Sequence, residues 1–207
     1  MKPYIACLML TSPDGSLQPT KWTKSPDSDR ADFSKVCGKV REGPRCRPWM
    51  VGRITMAEMA KGAAHPPKGP YNVENPWHFT NRDATNFGIA IDQSGAVRYK
   101  GPDLFGDHIV ALLGADVPDS YLAELAGDGV SYVIADDADF DVGKLLDVLS
   151  RELGIQGIVI KGGAATNGAL LASGLVGELN FIIAPALVAH SGTDSVVEFG
   201  PRDWRAR

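Results

Sequence analysis

Two stretches of this sequence combine glycine with groups that hold anions. The first is Lys161-Gly162-Gly163-Ala164-Ala165-Thr166-Asn167-Gly168, which follows the apolar run Gly157-Ile158-Val159-Ile160 and opens into a helical-looking run ending at Gly174. A strand that passes through small residues into a helix can cradle a phosphate. The free N–H groups of the first turn point outward, the helix dipole favours an anion there, and glycines let a ligand approach the backbone. The segment has neither the Gly-Lys-Ser/Thr of a P-loop nor the G-x-G-x-x-G of a Rossmann turn. A tight strand-to-helix turn with glycines for packing therefore remains the competing reading. The second stretch is Val51-Gly52-Arg53-Ile54-Thr55. Arg53 supplies a forked cation suited to phosphate, and Thr55 a hydroxyl that could donate to phosphate or cap a helix. The plainer alternative is a capping threonine beside a solvated arginine. Two such junctions at the carboxyl ends of strands suit an extended ligand with phosphates at both, such as a dinucleotide.

Other candidates are sparser. Ser12-Pro13-Asp14-Gly15 follows the first apolar run, so Asp14 could meet a polar substrate or simply make an Asp-Gly turn. Trp22 could stack on a ring or belong to a core. His78, in Pro76-Trp77-His78-Phe79, could line a pocket or help fold its loop. Cys7, Cys37 and Cys46 show no metal-ligand spacing, and His65, His78, His108 and His190 are scattered, so no metal site is expected. Cys7 lies in an apolar run and reads as a buried, reduced thiol. No Ser/His/Asp, Cys/His or paired-carboxylate arrangement is legible. That suits a redox enzyme whose cofactor carries the chemistry.

The elements that must position these residues alternate between strand and helix. Residues 4–10 are continuously apolar, like a central strand covered on both faces. Residues 49–52, 86–91, 108–113, 130–134, 155–160 and 179–188 read as further strands. Helices are expected over 28–40, 54–61, 121–126 and 140–153. The 140–153 helix is the clearest, with Val142, Leu145, Leu146, Leu149 and Leu153 in one stripe and Gly154 as its C-terminal glycine. Residues 62–82, rich in Pro, Asn and His, read as a long irregular loop. The alternation indicates an α/β class with a mostly parallel sheet, organised as one domain over residues 1–207.

With 207 residues, 44% hydrophobic and 22% charged, the chain can bury a substantial core. A net charge of -4 gives no electrostatic reason to expect nucleic acid or an anionic membrane as partner. No run reaches transmembrane length, and the short N-terminal apolar run reads as a strand rather than a signal peptide.

Taken together, Lys161 to Leu171, then Gly174-Leu175-Val176-Gly177-Glu178-Leu179 and Ile183-Ala184-Pro185, resemble the C-terminal reductase domain of the bifunctional riboflavin-biosynthesis deaminase-reductase. Ser12 to Gly15 and Val51 to Thr55 resemble that family's Ser-Leu-Asp-Gly and Val-Gly-x-x-Thr elements, in the same order. The resemblance implies a dihydrofolate reductase-like three-layer α/β/α fold around a mostly parallel sheet. It also implies a cytoplasmic, NADPH-dependent reductase that forms a homodimer. By position, Trp22, Gly52, Arg53, Thr55, Gly162, Gly163, Ala164, Ala165, Thr166, Asn167 and Gly168 would contact NADPH. Asp14, Thr20 and Lys161 would contact a small-molecule substrate.

The departures from the family pattern are informative. Lys161 stands where the family carries a glutamate that meets the substrate, which reverses the charge at that place. Residues 41–47 (REGPRCR) replace an apolar or acidic lead into the second strand, and the final hairpin strand of relatives has no clear counterpart before Arg207. The expected function is thus hydride transfer from NADPH to a small heterocyclic or carbonyl/imine substrate. The alternatives are a 5-amino-6-(5-phosphoribosylamino)uracil reductase of riboflavin biosynthesis, a pteridine or dihydrofolate reductase, or a nucleotide-binding domain without turnover.

Overall fold

The apolar N-terminal run forms strand β1, Tyr4–Thr11. In the computed structural model, residues 2–18, 21–23, 48–136, 138–188 and 195–198 are described. They divide into two compact units. One holds residues 2–3 and 48–156, the other the described parts of 4–47 and 157–207. The helix expected over 28–40, the basic segment 41–47, Thr20 and the questioned C-terminal strand all fall outside the described residues.

In the first unit the strands are β2 (Trp49–Gly52), β3 (Trp77–His78), β4 (Phe87–Asp92), β5 (Asp103–Leu104), β6 (Asp107–Leu113) and β7 (Ser131–Ile134). Their order is β3-β7-β6-β4-β2, with β5 on β6. The pairings β2·β4, β4·β6 and β6·β7 are parallel, while the two-residue strands β3 and β5 pair antiparallel. All four residues of β2 and all but the first of β6 are buried, so these strands read as unbroken apolar runs. Gly88 is required by its neighbour, because a Cβ there would lie 2.5 Å from Trp49 Cζ2. The core of the unit gathers Trp49, Val51, Met56, Ile109, Leu113, Leu122, Leu125 and Tyr132.

Helix α1 spans Arg53–Ala60, α2 Asp119–Gly127 and α3 Val142–Leu153. α1 begins one residue earlier than expected, on Gly52, and ends where Lys61 turns left-handed at φ 50°. α3 begins two residues later than expected. Phe140 has φ 43°, which helix cannot accept, and Asp141 caps the helix by accepting from the N–H groups of Gly143 at 2.8 Å and Lys144 at 3.3 Å. Leu145, Leu146 and Leu149 of its apolar stripe are buried, each contributing about 1.5–3 kcal/mol. Gly154 closes the helix at φ 66°, as the sequence predicts.

In the second unit β1 lies between β8 (Gly157–Ile160) and β9 (Glu178–Ile183), parallel to both. Helix α4, Ala164–Ala172, follows β8. β9 stops at Ile183 rather than Val188. Pro185 has no N–H to offer a neighbouring strand, and the Ala186 N–H instead turns back to the Ala184 carbonyl at 2.8 Å. Among the described residues, no helix is long and apolar enough to cross a membrane.

Candidate functional site

The α1 junction belongs to the first unit. Gly52 ends buried β2 and serves as an extended N-cap with no side-chain cap bond. The first-turn N–H groups of an α-helix lack intrahelical partners, and no acidic residue occupies this first turn. Arg53 is the first helical residue. It is exposed, and no hydrogen bond or ion pair engages it among the described residues. Thr55 lies inside the helix rather than capping it, and is half-buried. The end therefore presents free donors, helix dipole and guanidinium together, a combination that suits a phosphate.

Beside β2, the carboxyl end of β4 carries Asp92, which is fully buried. It accepts from Ala96 N at 3.1 Å, Val97 N at 2.8 Å and the Tyr121 hydroxyl at 3.2 Å. This carboxylate shapes the turn after β4 and is sealed from solvent.

In the second unit, β1, β8 and β9 run parallel, so the segments after Thr11, Ile160 and Ile183 leave from the same edge. After Ile160 comes half-buried Lys161, then buried Gly162 at φ 94°. A Cβ on Gly162 would lie 3.0 Å from Met9 Cε. The Gly162–Gly163 peptide is cis, and Gly163 is the N-cap of α4, again without a side-chain cap bond. Small residues Ala164 and Ala165 form the first turn, which carries no acidic group. Thr166 is half-buried and Gly168 buried.

Asn167 is fully buried. Its Nδ2 donates to the Val196 carbonyl at 2.8 Å, and its Oδ1 accepts from the Cys7 thiol at 3.7 Å. Its side chain thus fixes the helix from beneath. Burial pushes the Cys7 thiol up to about 11, so it carries no thiolate at neutral pH.

Asp14 is exposed. One carboxylate oxygen accepts from the Val188 N–H at 2.9 Å, and the other accepts the Ser12 hydroxyl. Ser12 Oγ in turn accepts from Ser16 N at 3.1 Å. Trp22 packs with Ala184 and Val188 and against Leu10 and Ala186, while its neighbour Thr23 pairs with Leu187 in both directions. Only 8% of Trp22 is exposed, and its indole Nε1 is buried without a partner among the described residues. The structure thus brings Asp14 and Trp22 onto the segment after β9. An unmet indole donor costs free energy unless an acceptor arrives.

Sequence reasoning missed one constellation. Asp103 Oδ1 lies 3.3 Å from His108 Nδ1, and His108 Nε2 lies 2.8 Å from Ser131 Oγ. The order resembles a nucleophilic triad, but Ser131 is 1% exposed and already accepts from Thr80 N at 3.1 Å. It is a structural network with no room for an acyl group. A cleft of about 80 Å³ between Trp77, Asp136, Asp141, Lys144 and Arg151 is too small for a dinucleotide. His78 is taken up by Glu74, 2.9 Å away.

Comparison with known proteins agrees with this arrangement of strands and helices. The structure is similar to a pyrimidine reductase-like protein from Corynebacterium diphtheriae, with TM-score 0.61 and 18% identity, over 95% of this chain and 80% of that one. It is similar to Acinetobacter baumannii RibD, with TM-score 0.63 and 19% identity, over 100% of this chain and 53% of that one. This chain therefore spans about half the length of the Acinetobacter protein. It is also similar to the riboflavin biosynthesis reductase Rib7 of Saccharomyces cerevisiae, with TM-score 0.59 and 17% identity, over 95% and 79%. The fold is the dihydrofolate reductase-like one that the sequence implied. No curated protein matches the chain. Residues 3–202 match the RibD C-terminal domain, and with nearly the whole sequence accounted for, the chain belongs to that family.

Proposed function

We propose that this chain is a reductase that uses NADPH to reduce a small heterocyclic or carbonyl/imine substrate. The observation that carries the reading is Arg53, exposed and without a partner among the described residues, on a helix end that already favours an anion. Membership in the RibD C-terminal family and likeness to reductase structures support it.

In this reading Gly52, Arg53 and Thr55 hold a cofactor phosphate, with Arg53 on the 2′-phosphate. Gly162 to Gly168 hold the pyrophosphate through backbone N–H groups, for which the glycines and alanines leave space. Asn167 keeps that turn in shape from below. Trp22 borders the cofactor and excludes water, and its unmet Nε1–H is a donor for an acceptor of the bound molecules. When bound, NADPH supplies a hydride from nicotinamide C4. The protein contributes proximity, orientation and a dry pocket. Asp14, Thr20 and Lys161 meet the substrate, and the ammonium of Lys161 favours an electron-rich or anionic group there.

Calorimetric titration with NADPH and NADH, followed by absorbance loss at the nicotinamide band with a substrate panel, tests the proposal. The panel includes 5-amino-6-(5-phosphoribosylamino)uracil, dihydropterins and simple imines. NADPH binding with turnover of one of these is expected. No binding of either cofactor would sink the reading.

A further inference from the structure

The loop after α1 is held by one histidine whose two ring nitrogens both face acceptors. His65 Nδ1 lies 2.8 Å from the Ala63 carbonyl, and Nε2 lies 2.9 Å from Asp128 Oδ1. A carbonyl and a carboxylate oxygen can only accept. A neutral imidazole has one N–H, so its other nitrogen would point a lone pair at an oxygen across hydrogen-bond distance. Only the imidazolium, with two N–H groups, satisfies both contacts.

The surroundings agree. Glu124 on α2 is 3% exposed, and its Oε1 accepts from the His65 backbone N–H at 3.0 Å and lies 3.4 Å from His65 Nδ1. Asp128 caps the end of α2. Arg98 is the opposing cation, with Nε 3.6 Å from Glu124 and its guanidinium 4.6 Å over the Tyr121 ring. On the loop itself the nearest charged residues in sequence are Lys61 and Lys68. The Ala63 carbonyl first, then Asp128, hold the imidazole in its charged form to higher pH than an ordinary histidine, and Glu124 adds to this.

The latch is also placed where it matters for the loop. Before His65, Gly62 N donates to the Arg98 carbonyl at 3.1 Å. The next anchors are Val73, packed on the core, and Glu74, whose carbonyl accepts the Tyr132 hydroxyl at 2.9 Å. Residues 66–72 are exposed and make no hydrogen bond among the described residues.

We propose that His65 is a proton-operated latch, which as an imidazolium clamps the loop of residues 63–72, between the anchors at Gly62 and Val73, onto the C-terminal end of α2 and on deprotonation releases it. The test is histidine NMR titration of the whole chain, with the His65 signal assigned by its loss in His65→Gln. Exchange of the His65 amide, which donates to Glu124 Oε1 at 3.0 Å, is followed across the same pH range and corrected for intrinsic rates. The latch predicts that His65 titrates above the ordinary value of about 6.5. It also predicts that protection falls roughly threefold or more as pH rises through that titration, and that Asp128→Asn moves the titration downward. In His65→Gln, protection should not follow pH. Titration of His65 at or below the ordinary value overturns the proposal, as does protection unchanged through it. The wild-type titration decides the matter even if a variant misfolds.

Discussion

His108 Nε2 and Ser131 Oγ stand 2.8 Å apart with both side chains buried. A neutral His108 protonated on Nδ1 fits these partners. Ser131 Oγ accepts from Thr80 N, so its own hydrogen is free to go to His108 Nε2. The Thr80 hydroxyl donates to the Gly129 carbonyl. His108 then carries its proton on Nδ1, facing Asp103 at 3.3 Å. β5 and β6 bring Asp103 opposite His108, and the β6–β7 register brings Ser131 alongside.

Burial, only partly offset by Asp103, holds His108 below the ordinary histidine range. Between the folded and unfolded titrations the unfolded chain binds more protons, so acidification favours unfolding. Stability conferred by neutral His108 is present above about pH 6.5 and is lost as pH falls toward the folded value. The slope from one group is at most about 1.4 kcal/mol per pH unit. Urea unfolding at pH 7.5 and 5.5 should show wild type losing more stability than His108→Gln, which keeps an acceptor for Ser131. Equal losses would show that His108 is not linked to folding. The comparison must be made against this variant, because His65 shifts the opposite way and its contribution is lost as pH rises.

Asp141 offers a cleaner stability test. Its carboxylate meets two N–H groups of the first turn of α3. Asp141→Ala should cost about 1 kcal/mol, and Asp141→Asn or Asp141→Ser should recover most of it. Thermal unfolding of the three variants measures this.

Gly162 and Gly174 separate backbone conformation from local crowding. Both have positive φ, at 94° and 68°. A Cβ on Gly162 would press on Met9, whereas one on Gly174 meets nothing within 4 Å. Each alanine variant should lose about 1–2 kcal/mol from the left-handed backbone alone. Gly162→Ala alone should also weaken NADPH binding in calorimetry, because it displaces the turn into α4.

How far the sequence announced these features depended on their range. β2 was legible to the residue because an apolar run ends at Gly52, and α3 to within two residues because its stripe and terminal glycine agree. β3 and β5, at two residues each, are too short for any periodicity. The last strand read too long because apolar residues continue past Pro185, while the backbone does not. At the α1 junction, strand, glycine and arginine are consecutive, so the local backbone arrangement was readable. The commitment of Asn167 to Cys7 and Val196 was not, since it spans 160 positions in one direction and 29 in the other. The Asp103–His108–Ser131 network was equally hidden, because strand pairing rather than spacing assembles it.

Arg53 bears on cofactor choice. If its guanidinium meets the 2′-phosphate, Arg53→Ala should weaken NADPH by about tenfold or more, the loss of one charge-assisted contact. NADH, lacking that phosphate, should change far less. Arg53→Lys should restore only part of the difference, since a point charge replaces a bidentate fork. Equal weakening of the two cofactors would remove Arg53 from the 2′-phosphate and leave it a role at a shared phosphate.

Lys161 bears on substrate choice. It follows β8 directly and is half-buried, so its side chain is held rather than freely solvated. The family pattern places a glutamate here against the substrate, and reversal of charge alters which groups can be bound without an unpaired ion. Lys161→Glu should therefore raise kcat/KM for 5-amino-6-(5-phosphoribosylamino)uracil by about tenfold or more, equivalent to about 1.4 kcal/mol. Affinity for NADPH should stay within about twofold if, as proposed, Gly162 to Gly168 hold it through backbone groups, which this substitution leaves in place. A parallel fall in cofactor affinity would instead mean that Lys161 helps to hold the dinucleotide. No change in either would place the determinant of substrate choice elsewhere, with Asp14 the next residue to vary.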